Sequence, residues 1–189
     1  MVPKKIFLTK GVGTHKEKLA SFELALRSAG LAQCNLVQLE NSATIPGGCK
    51  PISRDEGTKL LRPGEIVFSV YGRESSAEPN RLFAVSVGMA LPADAEQYGY
   101  LFEYHAFGET DEKAGDYAED LSASMLAKSL DVEFDPDTAW DEREQIFKMS
   151  EKIVRTTNIT QSAVGNKDGL WTTVFAAAVF INGERAPRK

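Results

Sequence analysis

Near the end of the chain, residues 174–181 read Val-Phe-Ala-Ala-Ala-Val-Phe-Ile, eight apolar side chains without interruption. Such a run does not alternate between core and water, so as a strand it must be covered on both faces. It is also far short of the roughly 18–20 apolar residues of a membrane span. The chain must therefore supply a layer on each side of this strand. A single domain of 189 residues is large enough to do so.

The rest of the chain supplies the layers. Residues 5–9 (Lys-Ile-Phe-Leu-Thr) predict a first strand, broken by Gly11-Val12-Gly13. Thr14 and Glu17 have the form of a capping box, opening a helix with Leu19, Phe22, Leu26 and Ala29 on one face and Gly30 as its stop. Residues 34–39 predict a second strand, which runs into a loop dense in turn formers at 40–48. Ser53 and Glu56 form another capping box, for a short helix ending before Pro63-Gly64.

Strands are predicted at 65–71, 81–91 and 98–107, with a polar turn at 74–80. Thr110 caps a longer helix, with Asp111 and Glu112 favourable to its dipole and Ala114, Tyr117, Ala118, Leu121 and Met125 as its buried stripe. A linker at 131–137, a helix at 138–147 and strands at 152–161 and 171–181 complete the reading. Runs of strands with helices at separated points predict a layered α/β sandwich whose sheets are largely antiparallel or mixed.

Charge narrows the function classes. The formal net charge is −5, and no Lys/Arg-rich block stands out, which argues against a primary nucleic-acid role. Residues 103–145 carry fourteen acidic and three basic side chains, expected as a solvated face. The N-terminus lacks the apolar stretch of a signal peptide, and two cysteines make no disulfide framework. The expectation is a cytoplasmic protein with no membrane partner.

Several constellations are incomplete. Gly11-Val12-Gly13 lacks the third glycine of a dinucleotide loop and the Gly-Lys-Ser/Thr of a phosphate loop. Asp131, Glu133, Asp135 and Asp137 alternate like a calcium loop, but Pro136 stands where the glycine belongs. Cys34, Cys49, His15 and His105 match no structural zinc spacing, so no metal is expected. Glu103 and His105 share one face of a strand, as a proton-handling pair or as a rim salt bridge. Asn41-Ser42 lies in the turn-rich loop, where a serine is ordinarily a turn residue. A strained bond before a serine also permits self-cleavage by an N-to-O acyl shift, with elimination and hydrolysis leaving a pyruvoyl group.

Across nearly its whole length the sequence resembles the pyruvoyl-dependent arginine decarboxylases. The likeness runs through Phe-Leu-Thr-Lys-Gly-Val-Gly-Thr-His-Lys-Glu-Lys-Leu-Ala-Ser-Phe-Glu-Leu-Ala-Leu at 7–26 and Cys-Asn-Leu-Val at 34–37. It continues in Met-Ala-Leu-Pro-Ala-Asp at 89–94, Tyr-Gly-Tyr-Leu-Phe-Glu-Tyr-His at 98–105, Phe134-Asp135 and Trp-Thr-Thr at 171–173. The resemblance implies a four-layer αββα sandwich of the α+β type. It implies trimers or dimers of trimers with active sites at subunit interfaces. It also implies a lyase that converts L-arginine to agmatine and CO2 through a Schiff base on a self-generated pyruvoyl group.

Residue by residue, the resemblance places Glu23 at the carboxylate that receives the guanidinium, which suits bidentate recognition. It places Asn35 at the asparagine that assists processing. Glu103 falls at the acid that protonates the substrate carbon, a role that calls for burial. At the cleavage site the family usually carries Val-Ser-Ser-Ile-x-Pro-Pro, whereas this chain reads Leu39-Glu40-Asn41-Ser42-Ala43-Thr44-Ile45-Pro46-Gly47-Gly48. Counted back from Pro46, the usual cofactor serine falls on Ala43. Ser42 is the only serine between Cys34 and Cys49, so it is the expected pyruvoyl precursor. A cut between Asn41 and Ser42 would divide the domain into a β chain, 1–41, and an α chain, 42–189. Thr44 is an alternative that would give a 2-ketobutyryl group instead. An unprocessed homologue that binds without chemistry, and a decarboxylase for another basic amino acid, are the competing functions.

Overall fold

The computed structural model describes residues 2–40, 42–131 and 153–183. Its elements are β1 (Pro3–His15), α1 (Lys18–Ala29), β2 (Asn35–Gln38), β3 (Ser42–Ile45), β4 (Lys50–Pro51), α2 (Arg54–Leu60) and β5 (Ile66–Ser76). There follow β6 (Leu82–Pro92), β7 (Gly99–Phe107), α3 (Asp111–Ser129), β8 (Ile153–Val164) and β9 (Trp171–Asn182). One sheet has the order β2-β5-β9-β1-β4 and the other β3-β7-β6-β8. The first is mixed, since β1–β4 and β2–β5 run parallel while β1–β9 and β5–β9 run antiparallel. The second is antiparallel throughout.

The apolar run in β9 lies at the centre of the first sheet. Val174, Ala176, Ala178 and Phe180 meet Val70, Val85 and Val87 between the two sheets. Phe175, Ala177, Val179 and Ile181 point the other way, onto Phe7, Ala25 and Ala29 beneath α1. Beyond the second sheet, α3 closes the stack through Ala123, Leu126 and Ala127 against Ala90. The result is the α/β/β/α sandwich of the α+β type.

Local signals explain where the helices begin and end. Ser53 accepts the amide of Glu56, and Thr110 that of Lys113, as both caps require. Gly30 ends α1 in the left-handed conformation, at φ 80°.

The reading at 11–17 is corrected. Gly11 and Gly13 do not break β1, which continues to His15, and α1 lies over them. A Cβ at Gly11 would stand 2.1 Å from the Ala25 carbonyl oxygen, and one at Gly13 2.3 Å from that of Ser21. Thr14 is consequently a strand residue facing Thr172, 3.3 Å away between hydroxyls, and caps nothing. The helix turns its small residues Ser21, Ala25 and Ala29 to the sheet, and Leu19 is left 79% exposed. In α3 the same preference for close approach exposes Tyr117 and buries Ala114, Ala118, Ser122, Ala123, Leu126 and Ala127.

Backbone meets backbone at Gly11, so its replacement has no easy relief. Gly11→Ala is expected to cost about 3 kcal/mol, the upper end for overpacking, and so to lower the thermal midpoint by roughly 6–12 °C. Gly48→Ala is the comparison, because nothing lies within 4 Å of its Cβ position and only its φ of 73° is strained. That change should cost about 1 kcal/mol. Circular-dichroism melts of both variants test the contrast.

The loop reading at 40–48 is corrected as well, because Ser42–Ile45 forms an edge strand beside β7. The predicted helix at 138–147, the linker from residue 132 on, Phe134-Asp135 and Asn41 lie outside the described residues.

Candidate active site

The chain changes sheets between β2 and β3. Leu39 still belongs to the first sheet, its amide bonded to the Ser69 carbonyl at 2.9 Å. Ser42 already belongs to the second, in register with Phe102. The chain therefore passes from one layer to the other between Leu39 and Ser42. Ser42 is exposed, while Ala43 and Ile45 pack toward the core between the sheets.

Glu103 stands one position from Phe102 on β7, and alternation turns it inward on the same face as Leu101. It is buried, 7% exposed, between the two sheets. Room for it comes from Gly72 on β5, where a Cβ would meet Val85 Cβ at 3.1 Å and Glu103 Cγ at 3.4 Å. A carboxylate so placed needs polar partners. His105 Nε2 meets Glu103 Oε1 at 2.5 Å, and Gln38 of the edge strand donates from Nε2 to the Tyr71 carbonyl at 3.0 Å and to Glu103 Oε2 at 3.5 Å. The imidazole's other nitrogen, Nδ1, lies 3.4 Å from Glu74 Oε2.

His105 is thus held between two carboxylates. Its hydrogen bond to Glu103 raises its pKa above the ordinary 6.5, with Glu74 adding to the effect and burial opposing it. The raised value has a stability consequence. The stabilisation that protonation brings is complete below pH 6.5 and is lost as pH rises through the raised value. Thermal midpoints should fall across that window, and His105→Gln should remove this part of the slope.

The structure gathers Glu103 and His105 but not the other expected residues. Glu23 lies on α1, outside the first sheet, paired with Arg27 at 2.8 Å and 45% exposed. Asn35 opens β2 and donates its amide to the Gly64 carbonyl at 3.0 Å. Cys34, Cys49, His15 and His105 do not come together, and no group of three or more metal-ligating side chains occurs among the described residues. Burial pushes the Cys49 thiol up to about 11, as befits an inert core residue. The sequence did not single out Gln38 and Glu74. The polar turn expected from Glu74 on begins later, since β5 runs to Ser76 and brings Glu74 to the face of Val70 and Gly72. No helix among the described residues is long and apolar enough to cross a membrane.

Fold and side-chain arrangement together define an α+β sandwich protein with an acid–imidazole–acid cluster between its sheets. Comparison then supplies the family. Residues 5–185 match the model of pyruvoyl-dependent arginine decarboxylase. The chain is 61% identical over 180 residues to a probable pyruvoyl-dependent arginine decarboxylase of Chloroherpeton thalassium, covering 95% of this chain and 98% of that one. It is 52% identical over 181 residues to the pyruvoyl-dependent arginine decarboxylase of Nitrosopumilus maritimus, covering 96% and 98%. With pyruvoyl-dependent arginine decarboxylase 2 of Methanosarcina mazei the figures are 50% over 184 residues, 97% and 100%. The chain belongs to the pyruvoyl-dependent arginine decarboxylase family.

Proposed function

We propose that the protein is a carboxy-lyase that converts L-arginine to agmatine and CO2, using a pyruvoyl group made from its own Ser42. The observation that carries the reading is the family match over 5–185, joined to a buried acid one register step from the serine. The residues present fit the group. Ser42 begins an edge strand beside the strand that carries Glu103, with its side chain exposed on the face of Phe102, so the ketone reaches the acid's face only once the cut frees this strand's first residue to turn. Bound there, a pyruvoyl ketone would capture the substrate's α-amine covalently and take up the electron pair released with CO2.

The chain's own residues do the rest. Glu103, shielded from water, delivers a proton to the substrate's α-carbon once the carboxylate has gone. Glu23 exchanges Arg27 for the guanidinium, two oxygens facing two N–H groups. Within one protomer Glu23 and Glu103 lie on opposite sides of the first sheet. A complete site in this reading therefore takes its α1 from a neighbouring protomer, in a trimer or a dimer of trimers. Asn35 stands three residues before Gln38, about 10 Å along the strand, so its aid to processing is also assigned across that boundary. A cytoplasmic location belongs to the same reading.

Cleavage leaves 1–41 attached without a covalent bond. β1 pairs with β9 from Pro3 to His15, and α1 is buried on the same sheet, so the pieces separate only on denaturation. Denaturing mass spectrometry of the purified protein should show 1–41 and 42–189, the larger without a free amine. Carboxyl-labelled arginine should release labelled CO2. A stable intact chain, or no CO2 from arginine while lysine or ornithine reacts, would overturn the assignment.

A further inference from the structure

Under the function just proposed, Glu103 gives up one proton per turnover and must have it replaced. Its side chain is 4% exposed, whereas His105 and Glu74 are 35% and 28% exposed, so the cluster leads from a dry acid to its wetter partners. The three groups come from both sheets. Glu103 and His105 are two apart on β7, and Glu74 reaches across from β5. A protonated imidazole has two N–H donors. Here both are engaged, Nε2 by the inner carboxylate and Nδ1 by the outer one.

We propose that His105 is a positioning residue that stores the proton Glu103 delivers, and that Glu74 orients it by accepting the Nδ1 hydrogen. The proposal rests on the decarboxylase reading of the site. The logic is that of a base whose second nitrogen is fixed by an acid, which leaves Nε2 free to exchange its proton. In the step itself the substrate's carboxylate leaves as CO2 and its bonding electrons stay with the α-carbon. The Nε2 hydrogen passes to the Glu103 carboxylate at Oε1, and Glu103 hands that one proton on to the carbon. Glu103 is left ionised and His105 neutral, its Nδ1–H still donated to Glu74. Water supplies one proton to the emptied pair after the product departs, so one solvent proton replaces each CO2. The titratable groups that face His105 are Glu103 on its own strand and Glu74 from the opposite sheet. Both favour the charged ring, so the store stays filled to higher pH than a free imidazole would.

The test uses the full-length, self-processed protein, with processing checked by mass spectrometry for every variant. His105→Gln should still be cleaved and should lose about 10- to 100-fold in kcat, with KM within about twofold, short of the full general-acid contribution. Added imidazole should restore part of the rate to His105→Ala, since the site opens to solvent. Glu74→Gln should move the alkaline limb of the kcat profile to lower pH. The chain has only two histidines, so ring titration by NMR, with His15→Gln for assignment, reads His105 without reference to activity. It should titrate above 6.5 in the parent protein and lower in Glu74→Gln. Full kcat in His105→Gln, no rescue by imidazole, or a His105 titration indifferent to Glu74 would overturn the proposal. If the parent releases no CO2 from arginine, the decarboxylase reading fails, and the NMR titration still decides whether the cluster is coupled.

Discussion

Ser42→Ala is expected to leave a single intact polypeptide and no decarboxylation. Self-cleavage needs a hydroxyl on the residue after the scissile bond, because that oxygen attacks the preceding carbonyl and the amide nitrogen departs. Elimination from the ester then frees the 1–41 carboxyl, and hydrolysis of the remaining double-bonded amine gives the ketone. Alanine removes the only nucleophile at this position, and with it both the cut and the electron sink. The fold should be unaffected, since Ser42 is exposed and its strand is held by backbone pairing with β7. Denaturing mass spectrometry reads the outcome directly. Fragments that end at residue 43 in place of 41 would move the precursor role to Thr44. Unchanged fragments at 41 would rule out the mechanism. Ala43→Ser in the Ser42→Ala background tests the register. It restores a serine at the position where the family usually carries its cofactor residue, on the strand face that turns toward the core.

The layers were legible because burial on two faces leaves a mark in sequence. No polar residue interrupts 174–181, and only a strand between two layers tolerates that. Caps were legible too, since Ser53 and Thr110 act through amides three positions away. The failures have one physical source. Gly11 and Gly13 carry the signature of a turn, but the same absence of Cβ serves a helix that rests on a strand. Local pattern does not distinguish a glycine that bends the chain from one that lets another segment approach. Helix faces suffered likewise. Large side chains such as Leu19 and Tyr117 were given to the core, whereas small ones occupy it because the layers lie close. β3 was missed for a related reason. Its four residues pair with a strand more than fifty positions away, and that partner outweighs the turn-forming composition around it.

The site was half legible. Glu103 and His105 lie two apart on one strand, so alternation alone puts them together. Glu74 and Gln38 come from the other sheet, and no spacing in the chain announces a contact across the sandwich. Glu23 and Asn35 were reached only through likeness to a family, and within one protomer neither contacts the Glu103 cluster. In the site proposed above, whose halves converge only after assembly, no local pattern would mark these residues.

Glu103→Gln should retain processing and binding yet lose about 10²–10⁴ in kcat, the usual worth of a general acid, or about 3–5 kcal/mol in the barrier. The amide is nearly isosteric with the acid and fits the room left by Gly72. It offers a carbonyl to His105, so geometry survives while acidity does not. KM should change little, because the proton is needed only after CO2 has left. Glu103→Asp keeps the acid but withdraws it by one methylene, and should fall between parent and amide. The imidazole reports the same change independently. Its largest support toward protonation is the hydrogen bond to Glu103, so His105 should titrate lower in the amide variant, with Glu74 alone left to hold the charge. An amide variant with parental kcat would show that the proton comes from another group or from water. One with normal titration but lost turnover would place the acid's work at the substrate alone. Loss of both together is the outcome that ties the buried acid, the imidazole and the chemistry into one unit.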